Sequence, residues 1–448
     1  MMRRPWTLLA LLAIAYLSAP TSLTAERALA VDVEVVTVAD STAVIDWTTA
    51  ARAANGVLAP LPVITTLEYR PASKDDWRRL QDSLVSAYHR AELTDLDPDR
   101  AYVYRILASG ISLPDSLLAE GRFETLPRPP GDYLFSFATV ADLQIALPGD
   151  PYYAVISEVR RGDGASEMLI GKDRVGQLFR TSADISRRLM LDINRHAEVA
   201  FTVVKGDLTQ GSLEAEFREA RRILDLLRAP FYAVPGNHDA LLLPSTNGRS
   251  IWKNYFRNSR RQSFVHKGFR FLLLDSTYER VDGGTSHEGF LDADQIHWLQ
   301  REISSSREPV FILMHHPPHR ITLSGGQPAE PALDAIFAEG PVIGVFAAHG
   351  HRNALLSDPG EITATGSPPV VEGGPAVMYP GGFHIYRVFT GGYIQSFYQH
   401  SNLAALAESR SIQRNGPFAK QLSGLGEMAA RNFTYLLEEH KLIPARAD

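Results

Sequence analysis

The sequence predicts a small all-β sandwich followed by a larger α/β domain. Three observations predict it. From Val31 to about Leu126, short alternating strands are separated by turn-rich stretches. From Tyr133 onward, apolar β-prone runs alternate with stretches whose apolar residues recur at helical spacing. Between them, Thr125-Leu126-Pro127-Arg128-Pro129-Pro130-Gly131 reads as a stiff linker. A chain of 448 residues is also long enough for two domains.

The first thirty residues read as a targeting segment. Arg3 and Arg4 supply a positive start, Trp6 to Leu17 an apolar stretch too short to span a bilayer comfortably, and Ala28-Leu29-Ala30 a small-residue cleavage site, with Ala25 as an earlier option. Export to the periplasm or the exterior is therefore expected, with an uncleaved anchor as the alternative. Removing the segment takes away a net +2 and turns the overall charge of −6 into −8. No basic block is present, which disfavours a nucleic-acid partner and a nuclease reading. The chain has no Cys, which excludes a disulfide, a lipoprotein anchor and a zinc–thiolate site. No later apolar run is long enough to predict a membrane span in the mature chain.

Within residues 31–127, Val31–Val35, Thr42–Trp47, Thr65–Arg70 and Ala101–Ile106 read as strands. Leu96-x-Pro98-x-x-x-Tyr102 ahead of a strand, together with Trp47 on an early strand, resembles a fibronectin type III-like sandwich. Residues 132–400 form the α/β domain. Its predicted strands are Leu134–Val140, Val199–Val204, Phe231–Val234, Phe269–Leu274, Val310–Met314 and Val342–Ala347, with helices over Ser212–Leu227 and Asp292–Ile303. Residues 401–448 read as a helical extension with Phe418, Leu422, Leu425, Phe433, Leu436 and Leu437 on its apolar face. No repeat is evident.

The functional signal lies where those apolar runs end. Leu134–Val140 is followed by Asp142 and Gln144, and Val199–Val204 by Gly206-Asp207. Phe231–Val234 leads into Gly236-Asn237-His238-Asp239, Val310–Met314 into His315-His316-Pro317-Pro318, and Val342–Ala347 into His349-Gly350-His351. Residues just past the carboxyl ends of strands meet in one crevice of an α/β sheet. Carboxylate, carboxamide and imidazole ligands suit first-row metal ions, and this set exceeds what one tetrahedral ion needs. Each cluster alone is also compatible with an ordinary turn or a structured loop.

Taken in order, Asp-x-Gln, Gly-Asp, Gly-Asn-His-Asp, His-His-Pro and His-Gly-His resemble the calcineurin-like metallophosphoesterase superfamily, over Phe135 to about Gln399. With the β-sandwich in front, the domain order is similar to that of purple acid phosphatases. The resemblance implies an αββα sandwich with two divalent or mixed-valence metal ions (Fe, Mn or Zn) at the sheet edge. It implies that Asp207 bridges them, that Asp142, Gln144 and His351 complete the first site, and that Asn237, His315 and His349 complete the second. His238 would face the substrate, a small phosphorylated molecule (monoester or diester), attacked by a hydroxide that the two ions activate. His316, His319, Arg320, Arg352 and Asn353 flank ligands and are candidate substrate contacts, with structural or solvent-exposed roles as the alternative. The interval from Asp142 to Asp207 carries Leu147-Pro148-Gly149-Asp150-Pro151-Tyr152-Tyr153, which suits either a specificity rim or a surface excursion.

Three residues depart from the family pattern. Gln144 stands where the family usually has His; it binds directly, binds through water or leaves its site loosely held. Gln210 stands where purple acid phosphatases have a metal-binding Tyr, and Ala348 stands where a Gly is common. The competing reading is a metal-poor scaffold that uses its sandwich for recognition, and Gln144 is its support. Without a tyrosinate ligand, purified metal-replete protein is expected to lack the strong visible charge-transfer band of a purple enzyme. Absorption spectroscopy checks this, and an intense visible band would contradict it.

Overall fold

The computed structural model describes residues 28–53, 55–81, 84–109, 116–147, 181–243, 246–256, 261–277, 288–415 and 425–447. The targeting segment before residue 28, residues 148–153 of the turn-rich stretch, Phe418 and Leu422 lie outside them. The chain divides into two compact units. Of the described residues, the smaller holds those within 28–34, 46–91 and 102–122; the larger holds those within 35–45, 92–101 and from 123 on. The units therefore do not divide at the expected linker. Thr125 and Leu126 are buried in the larger unit, where Leu126 N–H donates to Ala39 O at 3.0 Å.

The smaller unit is all-β. Ile64–Pro71 pairs antiparallel with Ala101–Ser109 on one side and Arg78–Gln81 on the other. Ala50–Arg52 pairs antiparallel with Leu58–Pro60. Trp47 is buried, as its strand position suggested, and stacks on His89 at 5.3 Å. Beside it, Arg90 grips both oxygens of Asp46 at 2.8 and 2.7 Å.

The larger unit has four layers, α, β, β, α. Its seven-stranded sheet runs Phe231–Val234, Val199–Lys205, Tyr133–Val140, Gly382–Phe389, Gly392–Gln399, Phe433–Leu436, Lys441–Pro444. The first three strands are parallel and the rest antiparallel. Its six-stranded sheet runs Arg261–His266, Phe269–Leu274, Val310–Met314, Val342–Ala347, Val370–Glu372, Ala354–Leu355, with the four middle strands parallel.

Alternation along the strands explains the layering, because successive side chains point to opposite faces. Phe135, Phe137, Phe201 and Tyr386 of one sheet meet Phe271, Leu273, Phe311 and Phe346 of the other in a single core. On the outer face of the first sheet, Ala138, Val140, Val204 and Ile385 pack against helices Ser182–Ile193, Glu214–Leu224 and Gly248–Tyr255. On that of the second, Leu272, Leu274, Ile312 and Val345 pack against Ala293–Ser305 and Glu330–Phe337. The αββα architecture expected from the sequence is the observed one. Among the described residues no helix is long and apolar enough to cross a membrane.

One expectation fails. Residues 401–448 are not a helical extension throughout. Leu403–Asn415 is a helix, but Phe433–Leu436 and Lys441–Pro444 are strands of the seven-stranded sheet. Phe433, Leu436 and Leu437 mimic helical spacing, yet Phe-Thr-Tyr-Leu alternates at period two, and Phe433 and Tyr435 both enter the inter-sheet core. The expected measure of that core is Phe137, whose ring lies 4.5 Å from Tyr386, 5.1 Å from Phe271 and 5.5 Å from Phe201. Phe137→Ala is expected to cost about 3–5 kcal/mol in a denaturant titration.

Candidate metal centre

Five strand ends converge at one edge of the sandwich. The strands Tyr133–Val140, Val199–Lys205 and Phe231–Val234 of one sheet are followed by Asp142, Asp207 and Asn237; Val310–Met314 and Val342–Ala347 of the other by His315, His349 and His351. The loops are stitched together by backbone bonds. Asp142 N–H donates to Gly206 O at 3.0 Å and Gln144 N–H to Asp207 O at 2.9 Å, while Ala348 N–H donates to His315 O at 2.8 Å.

The local backbone is under strain. Asp142, Gln144, Asp207, His349 and His351 all have positive φ, from 38° to 76°. Such left-handed conformations cost a non-glycine residue about 1–2 kcal/mol each and gather at functional sites. Two glycines make room. A Cβ on Gly206 (φ +88°) would lie 2.7 Å from Gly236 N and from His315 Nδ1, and one on Gly236 would lie 2.1 Å from Asp207 Oδ1.

The side chains form two joined groups. In one, Asn237 Oδ1 lies 3.2 Å from His315 Nε2 and 3.0 Å from His349 Nδ1. In the other, His351 Nε2 lies 3.3 Å from Asp142 Oδ1 and 3.4 Å from Gln144 Nε2. Asp207 connects them, with Oδ2 3.3 Å from His315 Nε2, and ligand atoms of Asp142, Asp207 and His315 lie within 4.8 Å of one another. All seven residues expected as ligands are thus brought together. A cation fits here on the chemistry of the donors: both oxygens of Asp142 and Oε1 of Gln144 are buried with no hydrogen-bond partner. His351 approaches Asp142 within ion-pair distance but without hydrogen-bond geometry. Buried polar atoms left in that state are costly unless something else satisfies them.

Surrounding groups set tautomers and charge. His315 Nδ1–H donates to Lys205 O at 2.8 Å, so Nε2 is the ring nitrogen that faces Asp207 and Asn237. His238 is half-buried; its Nδ1–H donates to Gln210 O at 2.8 Å, and its backbone N–H donates to Asp207 Oδ1 at 2.9 Å. Burial opposes ionisation of Asp207, but the charges of His315 and His238 outweigh it and hold the carboxyl well below the usual carboxylate range. Burial likewise opposes the imidazolium of His315, and Asp207 more than compensates, raising its pKa to about 9. Burial, with the charge of His315, lowers that of His349 to about 2.

The structure places the other candidates differently. His316 is buried beside His315 and His349, with ring centroids 4.8 and 4.5 Å away. His319 and Arg320 are exposed on the short turn Pro318–Arg320, and Arg320 pairs with Glu288 at 3.0 Å. Arg352 Nε donates to the buried Glu372 at 2.9 Å. Asn353 has the bonds of the structural alternative: its buried amide accepts from Gly374 N–H at 2.8 Å and donates to Leu425 O at 3.1 Å.

Two residues that the sequence reading passed over brace the centre. Asp239 accepts from Thr209 N–H and Oγ1–H at 2.9 Å on one oxygen, and from Leu208 N–H at 3.1 Å and Gly236 N–H at 3.0 Å on the other. It thereby locks the Gly236–Asp239 loop to the loop that bears Asp207. Burial, then the charge of Asp207, pushes its pKa up to about 6. Lys205 is 2% exposed, and its Nζ donates to Ala347 O at 2.6 Å just before His349; burial brings its pKa down to about 8. Both were visible as charged residues at the ends of apolar runs. Asp239→Asn, which sets an NH2 donor against these N–H donors, is expected to cost about 1–3 kcal/mol of stability and to weaken metal uptake. Thermal melts and metal titration of wild type and variant check this.

Residues 137–353 match the family model described as calcineurin-like phosphoesterase. The chain is 28% identical over 155 residues to a probable glycerophosphodiester phosphodiesterase of Arcobacter nitrofigilis, covering 33% of this chain and 54% of that protein. It is 27% identical over 173 residues to a probable cyclic nucleotide phosphodiesterase of Synechococcus sp., covering 37% and 63%. The chain thus spans between half and two thirds of the length of these relatives. A purple acid phosphatase from yellow lupin (Lupinus luteus) aligns over 84% of this chain and 73% of that one at 12% identity, with a TM-score of 0.41 that supports no further conclusion. Residues 137–353, with their αββα architecture and five converging strand ends, thus form a calcineurin-like phosphoesterase domain.

Proposed function

We propose that this chain hydrolyses phosphate esters at a pair of divalent cations held by Asp142, Gln144, Asp207, Asn237, His315, His349 and His351. The observation that supports it most is the carboxyl of Asp142, buried without a hydrogen bond beside Asp207 and His315 in a group able to hold a metal ion. The donors are carboxylate, carboxamide and imidazole, a set that suits Mn, Fe or Zn. Bound there, such ions would lower the pKa of water and neutralise phosphoryl charge.

The chain's own residues then have distinct tasks. Asp207, lying between the two groups, is the one placed to serve both ions. Lys205 O holds His315 in the tautomer that offers Nε2. Gln210 O fixes Nδ1 of His238, which leaves Nε2 as the atom that steadies a phosphoryl oxygen and, when the ring is charged, gives a proton to the leaving oxygen. Gln144 supplies a carboxamide oxygen where an imidazole would bind more tightly, so the first site is the weaker of the two.

Phosphodiesters are the substrate class to test first, because relatives at 28% and 27% identity are named as glycerophosphodiester and cyclic nucleotide phosphodiesterases. The basic-then-apolar N-terminus supports action after export. The buried Trp47 and the antiparallel pairing around Ile64–Pro71 support reading the smaller unit as fibronectin type III-like.

A panel of phosphate mono- and diesters with Mn²⁺, Zn²⁺ and Fe²⁺ tests the proposal. Wild type is expected to turn over at least one diester only when metal is present. Asp207→Asn is expected to lose both metal and turnover. His238→Ala is expected to keep metal and to lose about 10²–10⁴-fold in rate. Metal-independent turnover, or full activity in His238→Ala, would contradict the assignment.

A further inference from the structure

His316 is completely buried and its ring packs against two of the residues assigned to the second ion. Its centroid is 4.5 Å from that of His349 and 4.8 Å from that of His315. One ring nitrogen from each of these three residues lies within 4.8 Å of the others. Its Nε2 is buried with no hydrogen-bond partner. A polar ring atom in that position is either a third imidazole ligand, with a bare lone pair, or an N–H donor waiting for an acceptor.

Proton counting at Ser276 decides between them. Ser276 is also fully buried. Its Oγ accepts the backbone N–H of His316 at 3.1 Å and lies 2.9 Å from His316 Nδ1. A serine hydroxyl has one proton to donate. Among the described residues, the acceptor in place for it is Nδ1. With Nδ1 accepting, the ring proton of a neutral imidazole sits on Nε2; in an imidazolium Nε2 is protonated as well. Only the opposite tautomer bares Nε2, and that one strands the buried hydroxyl proton of Ser276. Gly289 keeps the ring in place: a Cβ there would lie 2.8 Å from Cβ and Cγ of His316.

We propose that His316 is a substrate-binding residue that donates Nε2–H to a phosphoryl oxygen held beside the Asn237–His315–His349 group. The assignment rests on the function proposed above. It makes His316 a donor fixed in advance by Ser276, in a dry site where an anionic oxygen is the acceptor that satisfies it. A direct metal ligand would have to reverse the Ser276 hydrogen bond, with Nδ1–H donating to Oγ and the hydroxyl proton left without the acceptor it has here.

Two measurements on the full chain test this. In the first, Mn²⁺ and then inorganic phosphate are titrated calorimetrically into wild type, His316→Ala and His316→Gln. Mn²⁺ uptake is expected to be unchanged, while phosphate affinity falls about tenfold or more and KM for bis(p-nitrophenyl) phosphate rises in step. Loss of Mn²⁺ from a folded variant would make His316 a ligand and overturn the proposal, as would unchanged phosphate affinity. Wild type that takes up no Mn²⁺ would overturn the metal assignment itself, and this proposal with it. The second measurement needs no variant: ¹⁵N spectra of the histidine rings are expected to show His316 protonated at Nε2 and hydrogen-bonded at an unprotonated Nδ1. A bare Nε2 would refute the proposal.

Discussion

The carboxyl group of Asp142 is the constraint on which the rest of the site depends. Both of its oxygens are buried without a hydrogen-bond donor. Water-to-protein transfer of such a group is expensive unless a cation or donors compensate. The nearest imidazole, His351, is at 3.3 Å but misaligned. Asp207, in contrast, is ringed by histidines and keeps its charge readily. One carboxyl ringed by histidines and another with a single imidazole at ion-pair distance, their oxygens both near His315, describe a site whose electrostatics are completed by something positive.

The scaffold accepts local strain to present those groups. Three parallel strands of one sheet and two of the other stop at a common edge, and the chain turns away through left-handed residues. The strain is sustained by rigid surroundings. Below the site lies a core of stacked and edge-on phenylalanines and tyrosines shared by both sheets. At the site, Asp239 gathers four donors from two loops. The ammonium of Lys205 holds the strand end before His349, while its own carbonyl orients His315. His315 and the loops bearing Asp207, Asn237 and His349 are therefore held by partners in other loops, which is how a binding geometry is fixed in advance.

Much of this was legible in the sequence because strand ends and metal-competent residues coincide there. The six strands predicted for the α/β domain are all present, and Phe231–Val234, Phe269–Leu274, Val310–Met314 and Val342–Ala347 match to the residue. The strands Gly382–Phe389 and Gly392–Gln399 were not marked. The end of the chain was misread because Phe433, Leu436 and Leu437 fit a helical face as well as Phe433 and Tyr435 fit a strand. The two readings separate only once a sheet edge is known to be waiting. In the site, the residues that converge were legible and their supports were not. Asp239 looks like one more polar loop residue until its four donors are seen. Asn353 flanks His351 in the chain, and nothing local shows that its amide spans two backbone segments. The contact that singles out His316, with Ser276, crosses 40 residues and leaves no local trace.

The most direct measurement is the metal stoichiometry of the purified full chain. Metal-free protein is titrated with Mn²⁺, and bound metal is counted after dialysis, for wild type and for Asp142→Ala. The account predicts about two ions per chain for wild type, the signature of a binuclear site. It predicts loss of the weaker ion, with the stronger retained, in Asp142→Ala. Wild type that binds no metal, or an Asp142→Ala variant that binds as wild type does, would contradict it.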